Sequence, residues 1–463
     1  MGIIEVKSPF TGAVLRELRL DHWSDIEAKL VDALTVFENP DCHLKPYQRI
    51  AILEKLAVWV EQNLDHLVMQ IAHEGGKPLK DAKVEVLRAV NGIRLAINEL
   101  FHLKGSEIPM GLTDASTGRR AYTLLQPRGV VVAISAFNHP LNLIIHQVIP
   151  AIAVGAPILI KPALETPLSC LSLVEALYQA GLPEAWCQWI ICTNEDAKRL
   201  ASDARISFVS FIGSARVGWQ LRSNLAPGVR CSLEHGGSAP LIIDADVNLE
   251  TIVPMVGKGA FYHAGQVCVS TQRVYVHRSL YGNFCDLFTR HVRGLKVGDP
   301  TAEQTDIGPL IRASDVDRVD QWVQEALGQG AQCLLGGKRH TLRQCYESTI
   351  LTDVPESTKA MQEEIFGPVV CINSFNEIDD AICLANHPRF QFQSALFTQH
   401  VTHAEKAVEQ LQAQTVLIND HTAFRIDGMP FAGGKQSGLG TGGIGYTMRD
   451  YCYEKLAVWN HNV

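Results

Sequence analysis

Four side chains stand where each could do chemistry on a carbonyl compound. Cys268 follows Ala264-Gly-Gln-Val, just beyond a glycine where backbone can approach a ligand closely. A thiolate attacks carbonyl carbon well, provided a positive group, a helix terminus or a nearby base stabilises its charge. Glu234, in Ser232-Leu-Glu-His-Gly-Gly, precedes two glycines and could point into a cleft whose low polarity raises its pKa toward that of a general base. Asn138, in Ala136-Phe-Asn-His-Pro, ends an apolar run and could donate its amide to an oxyanion. Lys161 leaves another apolar run just before Pro162, a place to meet a ligand crossing a sheet edge. Each also has a plain reading: a small buried thiol, a surface or capping carboxylate, a turn amide, a lysine that snorkels to water.

The surrounding pattern must position them. Gly129-Val-Val-Val-Ala-Ile is nearly all apolar, as a central parallel strand should be, and Pro157-Ile-Leu-Ile-Lys and Ile206-Ser-Phe-Val-Ser-Phe read the same way. Helical spacing runs from Arg49, over 82–99 and over 167–180, and Pro140 and Pro150 bracket another helix. From Gly236 a second alternation begins: strand 240–244, helix 249–263 running toward Cys268, strand 273–277, helices 284–295 and 314–328, a β region at 341–352 and a strand at 368–374. Arg120 opens an exposed strand, the glycine-rich 433–440 reads as a folded loop, and 456–459 as a terminal strand for which another subunit is a plausible partner. The turn Phe211-Ile-Gly-Ser-Ala-Arg-Val-Gly is a weak phosphate-binding signal, because it lacks the first glycine of the dinucleotide fingerprint.

Composition narrows the class. A chain of 463 residues with 46% apolar and 19% charged residues supports two or three globular domains. The net charge of −8 carries no basic tail or face, which disfavours nucleic acid and anionic membrane as partners. The amino terminus has no apolar core of a secretory signal, and Val6 stands where a myristoylation site wants Ser or Thr. The apolar stretch 129–160 is broken by polar residues and prolines, so no membrane span is expected. The twelve cysteines lie singly, without a Cys-x-x-Cys pair, which points to a reducing, cytoplasmic compartment and to no metal site.

With these residues in view, the whole chain resembles the aldehyde dehydrogenase superfamily. Phe137-Asn-His-Pro, Lys161-Pro-Ala-Leu-Glu-Thr-Pro, Phe211-Ile-Gly-Ser, Leu233-Glu-His-Gly-Gly, Gly265-Gln-Val-Cys, Glu363-Glu-Ile-Phe-Gly-Pro-Val and Pro430-Phe-Ala-Gly-Gly-Lys-Gln-Ser-Gly follow one another in the family order. The resemblance implies an α/β fold with a Rossmann-like cofactor domain (1–108 and 128–235, with 436–450 returning to it), an α/β catalytic domain (236–435) and a small β oligomerisation element (109–127 and 451–463). It implies that Cys268 forms a thiohemiacetal and then a thioester, that Asn138 and the Cys268 backbone N–H hold the oxyanion, and that Glu234 activates the hydrolytic water. Lys161, Glu364, Ser214, Gly213, Leu164, Phe137 and Phe366 would surround an NAD cofactor. Branches that pass the acyl group to coenzyme A carry another residue at Glu234, so hydrolysis is favoured.

Some positions depart from the common pattern. His139 replaces an aromatic, His263 an asparagine and His235 a leucine, while Ser238 and Ala432 are also unusual. Their effect would fall on pocket shape, ring packing and the protonation of Cys268, with ordinary drift as the plain reading. Leu164 stands where NAD-preferring relatives have a ribose-binding glutamate, which leaves room for NADP as well as NAD. The run Ile418-Asn-Asp-His-Thr-Ala-Phe-Arg-Ile-Asp-Gly-Met-Pro resembles the lactaldehyde and phosphonoacetaldehyde dehydrogenase branch, and analogy places His421, Phe424 and Arg425 at the substrate entrance. Arg425 could hold an anionic tail, or pair with Asp427 instead; Arg120 is a weaker candidate for the first task. A small polar or acidic aldehyde and a homodimer or homotetramer are expected. The alternatives are a semialdehyde-specific or acyl-transferring relative, a noncatalytic descendant, and, weakest, a thiol hydrolase without a readable partner histidine.

Overall fold

The computed structural model describes residues 2–461; Met1 and the last two residues of the expected 451–463 segment lie outside the described residues. Two parallel sheets carry the molecule. In the first, Val131–Ile134 lies at the centre between Ile158–Lys161 and Phe208–Ile212, with Cys187–Trp189 beyond the former and Arg230–Glu234 beyond the latter. Val131, Val132 and Ala133 are fully buried, as expected of a strand with helices on both faces. In the second sheet Ala239–Ile243 is flanked by Thr271–His277 and Gln393–Phe397, and Val369–Phe375 follows beyond Thr271–His277. Each sheet packs its own apolar core.

The carboxyl ends of the first sheet's strands deliver the chemistry-bearing segments. Asn138 follows the Val131 strand, Lys161 ends its own strand, and Glu234 ends another, in register with Ile212. Helix Leu79–Leu100 lies across from them. Its apolar residues Ala82, Val86, Ala89, Ile93 and Ala96 follow helical spacing, and the buried Asp81 and Glu85 ride one flank of the same stripe.

Several expectations need correction. Pro150 does not end a helix but sits inside Asn142–Val154, four residues before its end, where one lost N–H is tolerated in a wholly buried helix. The glycine-rich 433–440 is more ordered than a loop: Gly434–Lys435 pairs with Phe390–Gln391, and Gly438–Leu439 extends the first sheet beside Glu234. The β region at 341–352 shrinks to the strand Thr349–Thr352. The terminal strand Cys452–Asn460 pairs within the chain, antiparallel to Arg119–Pro127, and still forms one edge of its three-stranded sheet. The hairpin Ile3–Lys7 with Val14–Arg19 was not anticipated, since neither strand shows a strict alternation. No helix of the described residues is long and apolar enough to cross a membrane.

Candidate active site

Helix Leu249–Phe261 stops seven residues before Cys268, and the chain then takes a strained path. His263, Ala264 and Gly265 all have positive φ, at 48, 55 and 70°. For two residues with side chains this costs about 1–3 kcal/mol each, so the surroundings must impose it. Asp81 Oδ2 accepts the His263 N–H at 3.2 Å, and Gln266 is tied down by the Pro309 carbonyl at 3.2 Å and the Ile311 N–H at 3.0 Å. A Cβ on Gly265 would lie 2.2 Å from the Gly367 carbonyl oxygen, which explains the glycine. The Asn138 side chain donates one N–H to the Gln266 carbonyl at 2.9 Å, so the amide is fastened to the loop that carries the sulfur.

Cys268, Glu234 and Asn138 line one cavity of about 790 Å³. Burial pushes the Cys268 thiol up to about 12, helped by the carboxylates of Glu364 and Glu234 and opposed by the Arg425 guanidinium. The unliganded protein therefore holds a thiol here. Burial also raises the Glu234 carboxyl, against the pull of Arg425. Its carboxylate has no hydrogen-bond partner among the described residues, and Gly442 leaves it space: a Cβ there would sit 1.9 Å from its Oε1. Iodoacetamide labelling of Cys268, read by mass spectrometry, is expected to quicken about tenfold per pH unit from pH 7 to 10, because the thiolate fraction grows in that proportion below the pKa. A plateau below pH 8 would show a thiol already activated in the free enzyme.

The other end of the cavity suits a dinucleotide. Lys161 is buried, and among the described residues its amine has only the Pro162 carbonyl at 3.5 Å for a partner. Glu364 Oε1 is buried with no partner, and burial raises that carboxyl to about 8, opposed by Arg318. Ser214 stands at the start of helix Ala215–Arg222 with its hydroxyl unused by the helix. Phe137 meets Phe366 edge-on, with ring centroids 5.7 Å apart, and Leu164 and Gly213 lie on the same wall. Glu165 is engaged by Arg312 at 2.8 and 2.5 Å.

Arg425 reaches the cavity beside Cys268 and Glu234. Its guanidinium stacks on Phe431, 3.4 Å from the ring centroid, while Nε and Nη2 are buried without a partner. The ion pair with Asp427 does not form. That carboxylate is taken by Arg88 at 2.7 Å, His146 at 2.8 Å and Asn142 at 3.2 Å. His421, Phe424 and Arg120 are not on the cavity wall. His421 packs over Gly259, whose Cβ would meet it at 2.8 Å; Phe424 is 41% exposed; Arg120 lies in the three-stranded sheet opposite Trp459. Sequence reading missed Arg88, Tyr262 and Asn142, which line the cavity, and Lys77, Asp81 and Glu85 behind it. Asp81, Glu85 and Arg88 fall at helical spacing beside an apolar stripe, a pattern that an ordinary polar border also gives.

Comparison with known proteins gives one consistent result. The model of the aldehyde dehydrogenase family matches residues 2–457. The 3-sulfolactaldehyde dehydrogenase of Priestia aryabhattai is 35% identical over 461 residues, 99% of this chain and 95% of that protein, which agrees with the lactaldehyde-like branch. Among solved structures, aldehyde dehydrogenase 21 of Physcomitrella patens, in complex with the reaction product succinate, superposes with a TM-score of 0.96 at 33% identity, covering 100% of this chain and 95% of that one. The glyceraldehyde-3-phosphate dehydrogenase of Methanocaldococcus jannaschii, complexed with NADP, gives 0.93 at 31% identity and 99% coverage of both chains. The fold expected from the sequence is therefore the fold observed.

Proposed function

Because this chain belongs to the aldehyde dehydrogenase family, we propose that it oxidises a small anionic aldehyde to the corresponding acid, with NAD or NADP. The observation that carries the anionic class is Arg425: a buried guanidinium on the cavity wall with two nitrogens unpartnered and its neighbouring carboxylate already taken. A buried cation left this way is costly unless a ligand completes it. Arg88, fixed by Asp427, adds positive charge to the same wall. The three proteins compared are named for, or complexed with, a sulfonate, a carboxylate and a phosphate.

The dinucleotide supplies an acceptor for the substrate hydride. Lys161 and Glu364 would hold its ribose hydroxyls, with Ser214 and the adjacent amides at its pyrophosphate. The orphaned Glu364 Oε1 and the nearly partnerless Lys161 fit that role. With Leu164 in place of an acidic residue and Glu165 paired with Arg312, nothing acidic and free at that point repels a 2′-phosphate.

Chemistry would proceed in two halves. Cys268 Sγ gives its proton to water in the cavity and bonds to the carbonyl carbon; the oxygen takes the charge and accepts from the second Asn138 N–H and the Cys268 backbone N–H, which has no partner in another described residue. The C–H bond breaks with loss of hydride, leaving a thioester on Cys268. Glu234 then removes a proton from water, the water oxygen bonds to the acyl carbon, and the C–S bond breaks to give acid and thiolate. The domain division at 235/236 and a role for the three-stranded sheet in self-association belong to the same reading. Leu456, Val458 and Trp459 on its edge strand are more than half exposed.

The test is the initial rate of reduced cofactor formation with NAD and with NADP. The aldehydes to compare are succinate semialdehyde, phosphonoacetaldehyde and 3-sulfolactaldehyde against lactaldehyde, glycolaldehyde and a medium-chain aliphatic aldehyde. Anionic substrates should lead. Arg425→Gln should lower kcat/KM for the anionic group by about ten- to a hundredfold more than for the neutral group, the value of a charged hydrogen bond. An equal loss for both groups would move Arg425 from substrate binding to tuning of Cys268.

A further inference from the structure

Behind Asn138 lies a buried cluster that the reaction described above does not use. Lys77 and Glu85 have fully buried side chains and form an ion pair. Glu85 Oε1 accepts the N–H groups of Leu141 at 2.9 Å and Asn142 at 3.0 Å, and so fixes the turn that follows His139. Lys77 Nζ also lies 3.0 Å from His139 Nδ1. The Glu85 carboxylate, at 3.7 Å from the same nitrogen, is beyond hydrogen-bond reach. Burial, with the adjacent Lys77 charge, drives the imidazole down to about 4, so the ring is neutral at pH 7 and carries one proton.

These contacts settle which nitrogen carries it. An ammonium has only protons to offer, so Nδ1 must accept, and the proton sits on Nε2. That Nε2 has no partner among the described residues, is not sealed from solvent, and belongs to a ring that lines the cavity. The ring is held flat by Tyr262, stacked at a centroid distance of 6.0 Å, and flanked by His263 at 6.3 Å. An aromatic hydrocarbon here would fill the same space without presenting a donor.

We propose that His139 is a specificity-determining residue: its Nε2–H, fixed as a donor by Lys77, hydrogen-bonds a hydroxyl on the carbon next to the aldehyde carbonyl, so that 2-hydroxy aldehydes are selected over their deoxy counterparts. The placement follows from the chain. Asn138 and His139 are consecutive, about 3.8 Å apart at Cα. Both side chains line the cavity that holds Cys268, so a substrate whose carbonyl oxygen sits on the Asn138 amide has the His139 ring within reach of its next carbon. This inference rests on the reading of the cavity as an aldehyde site, but not on the anionic tail.

The experiment measures kcat/KM for two pairs, 3-sulfolactaldehyde with 3-sulfopropanal and lactaldehyde with propanal, in the wild-type protein, in His139→Phe and in His139→Leu. The wild-type protein should prefer the hydroxylated member of each pair by about tenfold or more, because a donor left unpaired against the deoxy compound is penalised. Either variant should bring the ratio to within about twofold, and two replacements guard against one that fails to fold. The wild-type ratio should stay constant from pH 6 to 9, since the groups facing the ring (Lys77, Glu85, Arg88, Tyr262 and His263) leave it neutral throughout. A wild-type ratio near one, or a ratio unchanged in both variants, overturns the proposal. Discrimination within both pairs without any advantage for the sulfonates would leave His139 in place and remove the anionic reading. A large sulfonate advantage with no hydroxyl discrimination would do the reverse.

Discussion

Cys268→Ala is expected to abolish aldehyde oxidation, by at least about 10⁴-fold with every aldehyde and either cofactor, while the protein still folds and still binds the dinucleotide. The reason lies in the economy of the site. Among the described residues no other cysteine lines the cavity. Loss of the sulfur would remove the nucleophile of the proposed reaction, while the cavity wall around Lys161 and Glu364 is left as it is. Cofactor fluorescence quenching that persists in an inactive Cys268→Ala protein would separate lost chemistry from lost structure. Residual turnover above about one per cent of wild type would mean that the hydride leaves a hydrated aldehyde without covalent capture, and the thioester half of the scheme would fall.

The parts of this site that could be read from sequence are those where local conformation and chemistry coincide. Gly265 lies where the backbone needs a positive φ and where a Cβ would strike Gly367, so its presence before Cys268 was informative by itself. The buried strand ending at Lys161 is a short run of apolar residues with one ionisable residue at the tip, and that break in pattern marks a sheet edge; the strand ending at Glu234, Arg-Cys-Ser-Leu-Glu and only partly buried, carries no such pattern.

What could not be read depends on contacts far apart in the chain. Asp81 and His263 are separated by 182 residues, and Arg88 and Asp427 by 339. On the helix alone, Asp81, Glu85 and Arg88 look like an ordinary polar border of an amphipathic stripe. Only the second chain segment turns that border inward. The same applies to Arg425, whose sequence neighbour Asp427 is the natural ion-pair partner until Arg88 and His146 claim it. The state of Cys268 also lies in the fold, because its thiol is pushed up by burial that no local motif encodes.

Glu234→Gln should separate the two halves of the reaction. The amide keeps the shape of the carboxyl but cannot take a proton from water, so acylation should continue and deacylation should slow by about 10²–10⁴-fold. In a stopped-flow trace this becomes a burst of about one equivalent of reduced cofactor per active site, followed by a slow steady rate. Intact-mass measurement during the slow phase should find the acyl group on the peptide containing Cys268. Glu234 is suited to this task because burial raises its carboxyl and because its carboxylate, without a protein partner, faces the cavity. Arg425 sits between Glu234 and Cys268 in charge, lowering the pKa of both. An anionic substrate tail that neutralises Arg425 would therefore raise Glu234 further and strengthen it as a base at the stage when the thioester is present. Wild-type deacylation should accordingly be faster with an anionic aldehyde than with a neutral one of equal size. If Glu234→Gln shows no burst and loses the first turnover as well, the carboxylate acts before the thioester, as the base that removes the Cys268 proton, and the order of events at this site must be rewritten around that step.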